Sequence, residues 1–225
     1  MASTTFALVD ARKSILEDGF FPMYDSVVGE HVLDMQQKDF PFASEYGLEF
    51  CKLNFLDDTR IRSILESFFP WSGLGLCLKY NNDPGHIFSF RKGGAKAGLR
   101  VLIVQLWSVG SRAAYWGGSH LLSLPAVRAA NGLWEVPSAA LKRAGCKETE
   151  IKFEQGGLVI LDARLAFEIK DGFTITSAFT TEDELKTWAK MFLPRSPELA
   201  AKVTEMESIY TKIGVNFAFE DLEPR

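Results

Sequence analysis

Histidine is scarce in this chain. Its 225 residues carry three, His31, His86 and His120, spread far apart. Cysteine is as rare. Cys51, Cys77 and Cys146 are odd in number and unclustered, with no Cys-x-x-Cys or Cys/His metal spacing. That excludes a disulfide framework and predicts free thiols in a reducing compartment. Basic residues give no surplus: 25 Lys and Arg stand against 29 Asp and Glu, for a net charge of -4. A nucleic-acid partner is therefore not expected, because nothing is left over to neutralise phosphates. No apolar run approaches the roughly 20 residues that cross a bilayer. The N-terminal MASTTFALVDARK lacks the basic start and apolar run of a secretory signal. The expectation is a soluble, cytoplasmic protein without a membrane partner. Internal repeats, low-complexity tracts, a Gly-x-Ser-x-Gly elbow and a dinucleotide fingerprint are also missing.

What is present suits one domain over residues 1–225, with a flank at 12–72, a core at 73–180 and C-terminal helices at 181–225. Ala11 to Glu17 reads as a short helix ended by Asp18-Gly19. Ser26 to Gln37 is helix or loop. Ile61, Ile64, Leu65 and Phe68 make one apolar helical face that Pro70 closes. From Gly73 to Thr180 about seven or eight strands follow, separated by turns and not by regular helices. Thr181 with Glu184 suggests a capping box for a helix using Leu185, Trp188, Ala189 and Phe192. Ser196-Pro197 opens another helix with Leu199, Val203, Met206, Tyr210 and Ile213, ended by Gly214. Turn-linked strands between helical flanks indicate a mainly β (α+β) domain, an antiparallel barrel or jelly roll.

Arg100 to Pro125 holds the most chemistry. An apolar strand, Val101 to Trp107, leads through a turn to Tyr115-Trp116 and then Gly-Gly-Ser-His. Gln105 and Trp107 share a strand face. If buried, Gln105 must find a partner. If inward, it offers hydrogen bonds to a ligand carbonyl; the alternative is an outward Gln. Asp162 and Arg164 lie two apart near a strand end. Either they pair with each other, or Arg164 points inward as a fixed cation. The loop RKGGAKAG lacks the Lys-Ser/Thr ending of a phosphate loop and is a solvated hairpin loop or a lid.

Three segments together resemble the phytanoyl-CoA dioxygenase branch of the iron(II)/2-oxoglutarate oxygenases. These are Leu16-Glu17-Asp18-Gly19-Phe20, Gly118-Ser119-His120 and Gly156 to Phe167, GGLVILDARLAF. The resemblance implies a double-stranded β-helix, a cupin-like jelly roll with its active site in the mouth. It also implies a facial triad of two His and one carboxylate for iron. This sequence departs from that pattern. The His-x-acid pair is reduced to His86-Ile87-Phe88, and His31-Val32-Leu33-Asp34 has the wrong spacing. The second His position reads Phe167, and the cosubstrate's Arg is replaced by Thr176-Ser177-Ala178. The expectation is no metal and no cofactor. A site improvised from His86, His120 and Glu168 is the alternative.

The reading that follows is a metal-free, non-redox enzyme of natural-product biosynthesis, of a kind the resemblance places in fungal pathways. It would bind a hydrophobic oxygenated small molecule inside the barrel and catalyse a cyclisation, a hetero-Diels–Alder cycloaddition or an isomerisation. Arg164, His120 and Gln105 are the expected catalytic residues. His86, Phe88, Trp107, Trp116, Phe167 and Thr176 are the expected substrate wall. Several have a structural alternative: a loop His at 86, a filled core at Phe88 and Phe167, and a corner around Tyr115, Trp116 and His120 that merely makes the turn, the reading preferred for Tyr115. Two other functions stay open, an iron/2-oxoglutarate oxygenase with misplaced ligands and a non-catalytic binding protein. A homodimer is the open oligomeric expectation.

Overall fold

The computed structural model describes residues 6–221. Fourteen strands form two six-stranded sheets and a small two-stranded one. In chain order the strands are β1 Phe20–Tyr24, β2 Ser72–Asn81, β3 Phe88–Ser89, β4 Val101–Trp107, β5 Ser111–Gly117, β6 Val127–Arg128 and β7 Trp134–Glu135. Then come β8 Lys147–Phe153, β9 Gly157–Asp162, β10 Ala166–Asp171, β11 Phe173–Thr180, β12 Met191–Pro194, β13 Ile213–Val215 and β14 Phe217–Glu220. The helices are α1 Leu8–Glu17, α2 Ser26–Gln37, α3 Glu45–Cys51, α4 Thr59–Phe68, α5 Ser138–Arg143, α6 Glu182–Leu185 and α7 Pro197–Ile209.

One sheet runs β1-β9-β4-β11-β2-β13 and the other β6-β7-β3-β10-β5-β8. The chain winds between the two, with β2, β4, β9 and β11 in the first and β3, β5, β8 and β10 in the second. This is the double-stranded β-helix, a mainly β fold with helical flanks.

Strand β4 shows why the sequence folds this way. All seven of its residues are buried. Leu102, Val104 and Leu106 point outward into the core beneath α2, α3, α4 and α7. Val101, Ile103 and Trp107 point into the barrel. Covered on both faces, the strand reads as one apolar run and not as an alternation, with Gln105 the inward exception. Stacked rings fill the lower barrel: Phe20 on Tyr115 at 4.8 Å, Trp107 on Phe153 at 5.1 Å and Phe90 on Phe167 at 5.3 Å between centroids.

Residues Ser26 to Gln37 are helix, capped by the Asp25 carboxylate, which accepts from Val27 and Val28 N–H. Gly29 belongs there because a Cβ would lie 2.2 Å from the Gln155 carbonyl, where the helix crosses the β8–β9 turn. The C-terminal segment differs from its expected all-helical form. Helix α6 stops after Leu185, Thr181 makes no side-chain cap, and Phe192 lies exposed on β12. Ser196 does cap α7, but Ile213 falls in β13, which pairs in parallel with β2. Sheet pairing there outweighs the helical periodicity. No described helix is long and apolar enough to cross a membrane.

Candidate functional site

The residues expected to form one site are distributed over four environments. Gln105, Trp107, Phe167 and Thr176 face the closed interior of the barrel. Tyr115 donates its hydroxyl proton to Gln105 Oε1 at 2.7 Å. Gln105 Nε2, Trp107 Nε1 and Thr176 Oγ1 are buried without a partner. Gln105 and Thr176 sit directly opposite each other on β4 and β11. Phe88 lies opposite Phe167, which in turn lies opposite Tyr115. The expected apolar cavity at these positions is instead a packed core. Burial holds the Tyr115 hydroxyl well above its usual pKa, so it stays protonated.

His120 and Trp116 lie outside the barrel. Trp116 alternates with Tyr115 on β5 and so packs outward against Ile87, Val136 and Leu141. His120 is buried behind the wall, where its Nε2–H donates to the Leu16 carbonyl at 3.2 Å. Burial pushes its pKa down and leaves it neutral. Neither residue lines the mouth pocket described below. The corner's structural work is clear: Ser119 Oγ accepts from Ala166 N–H at 2.9 Å, and the His120 carbonyl accepts from Gly94 N–H at 3.2 Å.

His86 is on the surface, half exposed, with its ring bonded to Glu135 at 2.8 Å. That carboxylate raises its pKa. His31 bonds Asn54 at 2.7 Å. The three histidines thus have three separate neighbourhoods, and Glu168 accepts from Gly85 N–H. Among the described residues, no three His, Cys, Asp or Glu side chains converge on a point that could hold a metal ion. The positions that the resemblance assigned to iron hold Phe88 and Phe167, paired across β3 and β10. This donor set does not fit a facial triad.

The open site lies one step above this core. A cavity of about 600 Å³ opens at the barrel mouth. Its floor is Phe90, Val101 and Ala163, and its flanks carry Trp134 and Trp188. Six cations line it, Arg91, Lys92, Lys96, Arg100, Arg128 and Arg164, against one carboxylate, Asp162. Each part has a local cause. The β3–β4 loop is drawn in because Arg91 N–H donates to the Ala163 carbonyl at 2.8 Å and Gly94 N–H to the His120 carbonyl. Trp188 packs against β2 because position 75 is glycine; a Cβ there would sit 2.5 Å from the indole.

Arg164 does reach this pocket, but it is not a free cation. It grips Asp162 through two bonds, Nε to Oδ1 at 2.9 Å and Nη2 to Oδ2 at 2.6 Å, and its Nη1 donates to the Gly94 carbonyl at 3.2 Å. Both side chains are buried. Arg164 is thus a clamp on the loop. Arg91 pairs with Glu184, which Arg100 also approaches at 3.8 Å. The bond from Arg91 holds the Glu184 carboxyl below its ordinary pKa. Lys92 sits 4.1 Å above the Trp134 ring and Arg128 5.2 Å from it.

Phe90, Arg128, Trp134 and Trp188 were not candidates on sequence grounds. Strands β6 and β7 are two residues each, too short for a periodic signal. The available clue was the density of cations between Arg91 and Arg100.

No protein-family model matches the sequence, and no curated protein matches it. Solved structures do. HygX from Streptomyces hygroscopicus, with nickel and 2-oxoglutarate bound, is 12% identical with a TM-score of 0.55, over 82% of this chain and 90% of that one. SnoN is described as a non-heme alpha-ketoglutarate-dependent epimerase from nogalamycin biosynthesis. Its complex with Fe3+, alpha-ketoglutarate and nogalamycin RO is 12% identical with a TM-score of 0.53, over 77% of this chain and 83% of that one. AviO1 from Streptomyces viridochromogenes Tue57 is 14% identical with a TM-score of 0.51, over 79% and 96%. At these identities the likeness is one of fold.

Proposed function

We propose that this chain is a metal-independent enzyme of natural-product biosynthesis. It holds an oxygenated, ring-bearing small molecule at the barrel mouth and promotes an isomerisation or a cyclisation, most specifically a hetero-Diels–Alder cycloaddition. The observation that carries the reading is the mouth pocket itself: a cationic, ring-walled cavity in a fold where Phe88 and Phe167 hold the positions that the resemblance assigns to iron ligands. The shared fold with SnoN, an epimerase from nogalamycin biosynthesis, supports the biosynthetic class.

The chemistry follows from what the lining offers. Cations beside an apolar floor stabilise negative charge that develops on a carbonyl or phenolic oxygen. Phe90, Trp134 and Trp188 hold π-systems against each other, and orientation alone accelerates a ring closure. The lining offers no free proton acceptor, because Asp162 is committed to Arg164. A cycloaddition transfers no proton to a base and suits such a wall. Site roles shift accordingly, from Arg164, His120 and Gln105 to Lys92, Arg128 and the rings around them.

The test is turnover of candidate polyene or quinone-methide substrates with and without chelator. The expected result is activity that survives chelator and falls in Lys92→Gln and Arg128→Gln. Activity that requires iron and releases succinate from 2-oxoglutarate would overturn the proposal. Ligand binding without turnover of any candidate would point to a carrier.

A further inference from the structure

We infer that the mouth pocket recognises a multiply charged phosphate group carried on a ring-bearing molecule. This rests on the reading of the pocket as the substrate site, but not on which reaction occurs there.

The chain is acidic overall, with 29 acids against 25 bases, yet six cations line one cavity. Two carboxylates answer three of them: Asp162 pairs with Arg164, and Glu184 is shared by Arg91 and, at 3.8 Å, Arg100. The other three, Lys92, Lys96 and Arg128, have no carboxylate within ion-pair distance among the described residues, where surface acids are abundant. Lys92 and Arg128 also lie against one ring, that of Trp134, which brings two like charges near each other. Lys92, Lys96 and Arg128 are exposed, so water screens part of their mutual repulsion, and an anion that joins them relieves the rest. One carboxylate would offset a single charge. A phosphate monoester carries about -1.5 to -2 at neutral pH, so a diphosphate or its equivalent matches three free cations. The Arg128 fork suits phosphoryl oxygens, and Lys92 and Lys96 act on them as point charges.

The rest of the cavity selects what the phosphate is attached to. Phe90, Trp134 and Trp188 present ring surfaces next to the cations, and Val101 and Ala163 add an apolar floor. A flat or unsaturated group stacks there while its phosphates face the loop. A volume of about 600 Å³ accommodates a nucleotide-sized molecule. The clamp from Arg164 to the Gly94 carbonyl keeps the loop in position, so part of the ordering cost is met before binding.

The experiment is a calorimetric titration of the full chain at low salt, with quenching of tryptophan fluorescence as a second readout. The probes are ADP, inorganic pyrophosphate, adenosine and succinate. We expect ADP to bind more tightly than pyrophosphate, adenosine and succinate to bind far more weakly, and added salt to weaken both phosphates. Lys92→Gln and Arg128→Gln should each weaken ADP about tenfold, the size of one charge-assisted contact. Lys13→Gln, the same charge change on α1, should leave affinity unchanged. Melting temperatures check that the variants are folded. No binding of ADP or pyrophosphate, succinate binding as well as pyrophosphate, or affinities indifferent to Lys92 and Arg128 would each overturn the inference. Failure of the functional reading looks different. Phosphate binding together with turnover that requires iron and 2-oxoglutarate would sink the enzyme assignment and leave this inference standing. Chelator-resistant turnover of an uncharged substrate, with no phosphate binding, would do the reverse.

Discussion

Replacing Arg164 with methionine separates a clamp from a catalytic cation. In the structure the Arg164 side chain makes two bonds to Asp162 and one to the Gly94 carbonyl, and both partners of the ion pair are buried. Arg164→Met keeps the apolar stem and removes the charge. It leaves the Asp162 carboxylate buried and unpaired, a situation that costs about 3–5 kcal/mol in comparable sites. The pocket lets water approach from one side, which favours the lower end, about 3 kcal/mol. For a chain of this size that lowers Tm by about 6–12 °C. Asp162→Asn removes the charge from the other side, but its side chain can still accept from Arg164 N–H, as Asp162 Oδ1 now does at 2.9 Å. The double variant Arg164→Met/Asp162→Asn buries no lone charge and should recover more than half of the loss. Urea unfolding of the four proteins gives the coupling directly. An Arg164→Met protein that keeps its stability within about 0.5 kcal/mol, the range of an ordinary surface change, would refute the clamp.

Three further expectations use the same kind of accounting. Thr176 Oγ1 is buried without a partner, so Thr176→Val should be neutral or stabilising, whereas Gln105→Leu strands the Tyr115 hydroxyl and should cost about 1–3 kcal/mol in thermal or urea unfolding. Burial lowers the His120 pKa, so the unfolded chain takes up a proton near pH 6.5 before the native one does. Stability from the neutral ring is complete above that pH and declines as pH falls, with a slope of at most about 1.4 kcal/mol per pH unit. His120→Gln should flatten that part of the pH–stability curve, and an unchanged slope would contradict the assignment. Cys51 and Cys77 are fully buried with their sulfurs 3.5 Å apart, while Cys146 is partly exposed. A thiol reagent should therefore label Cys146 in the native protein and the other two only on unfolding; early labelling of Cys51 would show that the core opens.

The fold was legible because its strongest signals are local. Phe173 to Thr180, read from β-branched and aromatic content, is β11 residue for residue. The cap-and-proline signal at Ser196-Pro197 likewise starts α7. Where local signals conflict with sheet pairing, the sequence misleads. Phe192 and Ile213 fit a helical face, yet both lie in strands because β14 and β2 are there to pair with. The site was harder for a different reason. Parity along a strand separates Tyr115 from Trp116, but it does not say which is inside. Gln105 was readable as a buried polar group, yet its partner, Tyr115, came from the other sheet. His120 and Arg164 invited chemical roles because they are polar and follow buried strands. Their bonds to the Leu16 and Gly94 carbonyls are long-range and leave no trace in the sequence. The mouth pocket drew its wall from the β3–β4 loop, the β9–β10 turn, two strands of two residues and the turn after α6, segments that look ordinary one at a time.

The central claim is that this double-stranded β-helix works at a cationic mouth and not at a metal centre. Nickel(II) titration by calorimetry, with and without 2-oxoglutarate, tests it most directly. The account predicts no saturable metal site under either condition and no rise in melting temperature. A stoichiometric site that 2-oxoglutarate tightens would contradict it.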